Sequence, residues 1–213
     1  MVENGAAMIE NAPNASRKGS SHSGSPSKRE CRERFVLISG PPGAGKTTIA
    51  RRLSNDLQLP LVTKDDIKES LFDSLGWSDL EWSKRLGAAT WELIFLLMER
   101  LAETTVIVES NFYPNQHRDR IAALGRAIVE VHCVADPGVL ATRFHSRERH
   151  PGHTRELLYT PEAAAGALVA NGPLALGAMI ELDTTHPDEI DWAELINFVR
   201  SGLGETRGPQ DGR

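Results

Sequence analysis

Cysteine is nearly absent: two occur in 213 residues, Cys31 in a polar stretch and Cys133 in the apolar run Val131-His132-Cys133-Val134. A disulfide framework is excluded on that count, and both thiols are expected to be reduced. Long apolar runs are lacking too. No window of about 20 residues escapes charge, so no membrane-spanning helix is expected. The N-terminus has no apolar segment of the signal-peptide kind, which points to the cytoplasm. Internal repeats are missing, which sets aside solenoids and propellers. Net positive charge is missing as well. The formal charge is −5, and residues 1–34 carry six Lys/Arg against four Glu, leaving the remainder near −7. An extended nucleic-acid surface does not fit that balance. Neither a membrane nor a protein partner is implied.

What is present is an ordinary globular composition, 40% hydrophobic and 25% charged, in a length that suits one substantial domain. Residues 1–33 are rich in Ser, Asn, Gly, Lys and Arg without an apolar period and are expected to form a disordered tail; a basic docking arm is the alternative. Residues 204–213 are expected to form a second tail. Between them, residues 34–203 alternate short apolar runs with helical patterns, the rhythm of a parallel α/β sheet.

Five strands are expected, at Phe35–Ser39, Leu59–Thr63, Thr105–Glu109, Ala127–Ala135 and Ala178–Asp183. Helices are expected over Lys46–Leu57, Asp65–Leu75, Asp79–Ala102, Pro114–Leu124, Pro137–Arg149, Pro161–Leu168 and Pro187–Leu203. Asp79 suits a cap, and Pro114 and Pro137 suit a first helical turn. In the third helix, Trp91, Leu93, Ile94, Leu97 and Met98 follow core spacing. Trp77 and Trp82 either pack in the core or line an acceptor pocket.

The chemistry is concentrated after the first strand. Gly40-Pro41-Pro42-Gly43-Ala44-Gly45-Lys46-Thr47 follows an apolar run and opens a helix. Its glycines let successive backbone N–H groups turn inward around a polyphosphate, where residues bearing Cβ would obstruct. Lys46 places a cation on the outer phosphates, Thr47 offers a hydroxyl to Mg²⁺, and Thr48 continues the helix whose positive end faces the anion. ATP and Mg²⁺ are therefore the expected cofactors.

Transfer requires more than binding. Thr63-Lys64-Asp65-Asp66-Ile67-Lys68 follows the second strand, where open parallel sheets build sites, and Asp65 is the first choice for a general base. Asp65 and Asp66 can also be read as helix-start residues. Lys68, one turn on, can clamp an anionic substrate group or simply be solvated. Glu109 ends the third strand where a P-loop enzyme holds its metal, and Asn111 can reach substrate or form a turn. Arg143 and Arg147, four apart, fall on one helix face, with Arg149 beyond, able to stabilise charge on a transferred phosphoryl group or to form a solvated helix end. A lid is expected at about 143–160. His150 and His153 lack a third ligand, which argues against zinc.

This set of motifs, the P-loop with Lys64-Asp65-Asp66-Ile67-Lys68, Glu109-Ser110-Asn111-Phe112 and Arg143-x3-Arg147, resembles the small P-loop kinases that include phage polynucleotide kinase, zeta toxin and chloramphenicol phosphotransferase. The resemblance covers roughly residues 35–203. It implies a three-layer P-loop NTPase fold with a five-stranded parallel sheet and a small arginine-bearing lid. It also implies ATP-dependent phosphoryl transfer to a hydroxyl of a small molecule or a nucleic-acid 5′ end, with the residue at Asp65 as base and those at Arg143 and Arg147 as lid arginines. Lys68 stands where the polynucleotide kinase branch has an arginine that contacts a substrate phosphate, Glu109 stands where the family commonly has aspartate, and Asp183-Thr184-Thr185 resembles the strand end near adenine. The alternative is a nucleotide-dependent binding module with slow ATP hydrolysis; a guanine-reading Asn-Lys-x-Asp is lacking.

Overall fold

The structure is a computed structural model that describes residues 34–76, 78–101, 103–147, 150 and 159–204. The proposed N-terminal tail, nearly all of the proposed C-terminal one, Trp77, Arg149, His153 and most of the expected lid lie outside the described residues.

Apolar residues on both faces of a strand mean burial on both faces, and this is what forms at the three inner strands, while the two edge strands are half-buried or exposed. Strands β1 (Arg34–Ser39), β2 (Leu61–Thr63), β3 (Val106–Glu109), β4 (Ala127–Val134) and β5 (Ala178–Asp183) make one parallel sheet in the order β2-β3-β1-β4-β5. On one face Val36, Ile38, Ile107, Val129 and Val131 pack with Ile49 and Leu53 of α1 (Lys46–Leu57), Leu140 of α5 (Pro137–Ser146) and Leu195 and Val199 of α7 (Trp192–Gly202). On the other, Phe35, Leu37, Val106, Val108 and Ile128 meet Ile94, Phe95 and Met98 of α3 (Leu80–Arg100) and Ile121 of α4 (Pro114–Ala123). The result is the expected three-layer α/β architecture. Helices α2 (Lys64–Leu75) and α6 (Pro161–Ala170) complete the described elements. No helix among the described residues is long and apolar enough to cross a membrane.

The caps explain the helix starts. Asp79 accepts the Trp82 N–H at 2.8 Å, and Pro114 and Pro137 stand in first turns. Asp191 accepts the Glu194 N–H at 2.9 Å, and this cap splits the helix expected over Pro187–Leu203 into a 3₁₀ turn, Pro187–Glu189, and α7. The helix expected to run to Arg149 stops at Ser146, with Arg147 extended at φ −74°, ψ 125°. In α3, Leu93 is exposed while Phe95 is buried, so the core stripe is rotated relative to the expected one. Trp82 is half-buried and braces the α2–α3 turn by donating its indole N–H to the Gly76 carbonyl at 2.9 Å; it does not line the cavity described below.

Ser39, Glu130 and His132 form a buried polar cluster in the sheet layer. Glu130 is fully buried and accepts from the Ser39 hydroxyl at 2.6 Å and from the backbone N–H groups of Leu174 and Ala175 at 2.9 and 2.8 Å. Since the Ser39 proton goes to Glu130, the His132 Nδ1, 2.9 Å from Ser39 Oγ, supplies the donor in that contact. The carboxylate thus ties the segment before β5 to the residue that precedes the P-loop. Glu130→Ala should cost about 3 kcal/mol, since three donors lose their acceptor in a dry site. Chemical denaturation checks this, and a loss under about 1 kcal/mol would show that water replaces the carboxylate.

Candidate functional site

The register sets the site. Thr63 of β2 and Ile38 of β1 both stand opposite Glu109 of β3, so the C-terminal ends of three strands meet at one level. From that level the chain enters the P-loop after β1 and α2 after β2, and α1 aims its N-terminus at the same space. The strand order changes direction on either side of β1, where open α/β sheets form their binding crevice. A cavity of about 860 Å³ lies there.

The loop from Gly40 to Gly45 has the expected geometry. A Cβ on Gly40, at φ +130°, would stand 2.1 Å from the Cys133 carbonyl oxygen, and one on Gly43, at φ +85°, would stand 2.6 Å from the Leu140 carbonyl oxygen. Gly45 caps α1 with no side-chain hydrogen bond, which leaves the first amides of the helix for an anion. Pro42, Gly43, Gly45, Lys46, Thr47 and Thr48 line the cavity. Gly40, Pro41 and Ala44 stand behind them. The Pro41 carbonyl accepts from Lys46 Nζ at 2.7 Å, and the Ala44 carbonyl accepts from the Thr184 hydroxyl at 3.1 Å.

Lys46 is only 6% exposed. Burial pushes its pKa down, opposed chiefly by the Glu109 carboxylate. Glu109 is buried too; loss of solvent raises its pKa, and Lys46 pulls it back. Thr47 donates its hydroxyl to Glu109 Oε2 at 3.3 Å, so the two expected metal residues do meet. The described residues contain no cluster of three or more His, Cys, Asp or Glu suited to a metal. A hydroxyl beside one carboxylate fits Mg²⁺ that takes its other ligands from phosphate and water.

Across the cavity, Thr63 caps α2 by accepting the Asp66 N–H at 3.0 Å. Asp65 then lines the cavity, while Asp66 turns to Arg51 at 3.7 Å and does not. Lys68 and Asn111 line the cavity as expected. Arg143 and Arg147 also reach it, but not as neighbours on one helical face, because α5 ends between them. The Arg143 guanidinium donates to the carbonyls of Thr184 at 2.8 Å and Thr185 at 3.2 Å, which ties α5 to the end of β5.

Six lining residues were given no role by the sequence: Arg51, Lys64, Glu69, Ser110, Tyr113 and Phe144. Ser110 Oγ is buried without a hydrogen-bond partner among the described residues. Its adjacency to Glu109 was the available signal. Behind Tyr113, His117 Nδ1 accepts the Tyr113 N–H at 3.0 Å and its ring stacks on Trp91 at 3.8 Å. Burial holds its pKa down at about 4, so the imidazole is neutral with its proton on Nε2.

The AAA-domain family designated AAA_33 matches residues 35–162. This chain belongs to that family. A crystal structure from Chloroflexus aurantiacus J-10-fl, assigned provisionally as a kinase, is 33% identical with a TM-score of 0.73, covering 80% of this chain and 98% of that one. Shikimate kinase from Bacteroides thetaiotaomicron matches in fold alone, at 20% identity and a TM-score of 0.51, over 80% of this chain and 98% of that one. Cytidylate kinase from Ignicoccus hospitalis is 44% identical over 46 residues, 22% of this chain and 27% of that protein. The match thus spans about a quarter of that relative's length. The expected P-loop kinase fold and kinase family are borne out.

The loop geometry yields a direct prediction. Gly43→Ala, strained at positive φ and crowded by a backbone carbonyl, should weaken ATP binding at least about tenfold in equilibrium titration. Gly87→Ala, inside α3 with nothing within 4 Å of the added carbon, should leave ATP affinity unchanged.

Proposed function

We propose that this protein transfers the γ-phosphoryl group of ATP to a hydroxyl of a small molecule. The observation that carries the reading is the placing of Asp65 on the wall of the cavity that also holds Lys46, Thr47 and Glu109. A bound nucleotide alone would need no carboxylate opposite the phosphate cradle; an acceptor hydroxyl does.

In this reading the P-loop amides and Lys46 hold the β- and γ-phosphates, and Thr47 and Glu109 are the residues that would hold a Mg²⁺ ion, which would supply positive charge against the phosphates. Asp65 takes the acceptor's O–H proton as that oxygen bonds to the γ-phosphorus. The bond to the β,γ-bridging oxygen breaks, and its electron pair leaves with ADP. Arg143 and Arg147 supply positive charge on the lid side, and Lys68 and Asn111 face the acceptor. Residues about 143–160 serve as the lid in this scheme.

The support is of two kinds. Relatives named as cytidylate and shikimate kinases match 22% and 17% of this chain. Asp65 also stands apart from Asp66, whose carboxylate is engaged by an exposed arginine. Asp65→Asn should keep ATP affinity and lose transfer by roughly 10²–10⁴-fold, whereas Lys46→Met should lose both. Label transfer from ATP to a panel of sugars, polyols, hydroxy acids, nucleosides and 5′-hydroxyl oligonucleotides, run beside equilibrium ATP binding, measures the two. Full transfer activity in Asp65→Asn would remove it as the base. Thr47→Ala should shift the Mg²⁺ requirement upward with little change in acceptor KM.

A further inference from the structure

The cavity wall carries six lysines and arginines against three carboxylates, in a protein whose formal charge is −5. Part of that excess is already committed: Lys46 to the P-loop, Arg143 to the carbonyls at the end of β5, and Arg51 to Asp66. Two cations on the α2 side are not accounted for in this way.

Lys64 is the first residue of α2, at the positive end of the helix, where a cation is disfavoured and Asp or Glu would add stability. Its side chain is only 20% exposed, and its one ion pair among the described residues is a loose contact with Asp65 at 3.9 Å. Lys68 follows four residues later on the same face of α2. It is half-buried, with Nζ donating to the buried Ser83 hydroxyl at 3.2 Å and 5.5 Å from the Phe72 ring centre. Among the described residues it has no ion pair, and two of its three N–H donors have no assigned acceptor. Burial first, and Lys64 second, push the Lys68 pKa down. A solvated lysine would not be held beneath a serine and a ring, and the nearby Asp65 carboxylate offsets only part of the cost of burying it. Desolvated like charges side by side are costly unless something anionic joins them.

We propose that the acceptor carries an anionic group of its own, a carboxylate or a phosphate, which Lys64 and Lys68 receive beside the hydroxyl that Asp65 faces. This rests on the phosphoryl-transfer reading and narrows the acceptor to hydroxy acids and phosphorylated alcohols. It also assigns Lys64 as a specificity-determining residue. The arrangement is economical in sequence, because Lys64, Asp65 and Lys68 share one helical turn and move as a unit.

The test has two arms, both on the full chain. In the first, transfer from ATP is measured on matched pairs: D-glycerate against glycerol, D-gluconate against D-glucitol, and ribose 5-phosphate against ribose. The anionic members should be preferred by about 100-fold or more in kcat/KM, and Lys64→Met and Lys68→Met should erase most of that preference by raising KM. The carboxylate and phosphate pairs distinguish the two anions. Neutral members used equally well would overturn the proposal.

The second arm needs no turnover. With the nucleotide site filled by Mg²⁺ and a non-hydrolysable ATP analogue, inorganic phosphate is titrated calorimetrically. Binding should be weakened about tenfold or more by Lys64→Met and by Lys68→Met, and unchanged by Lys84→Met, an exposed lysine paired with Glu81. No phosphate binding to the loaded wild type, or loss of analogue affinity in the two variants instead, would overturn the proposal and return the lysines to the nucleotide. Phosphate binding with the expected losses, in a protein that transfers to nothing, would leave the anion site standing and remove the transferase reading.

Discussion

Burying an ammonium group almost out of water's reach is the constraint on which the rest of this structure depends. Lys46 stands at the start of α1, nearly without solvent, and what makes that tolerable is the Glu109 carboxylate at the end of β3 and the Pro41 carbonyl of its own loop. Glu109 in turn is held above its ordinary pKa by burial and kept down by Lys46. Neither group is settled without the other. The β1–β3 register, which puts Ile38 opposite Glu109, brings them to one level, so the sheet is a condition for the site and not merely a platform beneath it.

The glycines answer the same constraint from the backbone side. Gly40 and Gly43 let the loop fold back so closely on β4 and α5 that a methyl group would overlap a carbonyl oxygen. That tight approach turns the loop amides inward and leaves the first turn of α1 without a side-chain cap. Behind the loop, Ser39 is fixed by Glu130, which also holds Leu174 and Ala175. Thr184 adds a further tie, its backbone N–H donating to the Val134 carbonyl and its hydroxyl to the Ala44 carbonyl. The cradle is braced from β4, from the end of β5 and from the segment before β5 by groups that do not face a ligand.

Much of this was legible in the chain. The apolar runs at Phe35–Ser39 and Thr105–Glu109 are buried on both faces, so their composition alone marks them as inner strands. The edge strand β2 is shorter than the apolar run that contains it, because at an edge only pairing with β3 keeps a residue in the sheet, and this ends at Leu61. Arg143 and Arg147 looked like helical neighbours because periodicity cannot see where a helix is stopped. Trp82 looked like a pocket or core residue, and its indole N–H instead closes a turn.

What the sequence determined by itself is local: a glycine-rich loop needing positive φ, a lysine and threonine at fixed spacing from it, a cap at Asp79, and five short apolar strand runs. These depend on neighbours a few residues away and survive in any fold. Only the tertiary structure decided which of two adjacent aspartates enters the cavity, since Asp66 is drawn aside by Arg51 from another helix. It also decided that Lys64 and Lys68 share a wall with Lys46, and that Glu130 is a strut. Each of those outcomes joins residues far apart in the chain through burial and charge, and burial exists only once the layers have closed.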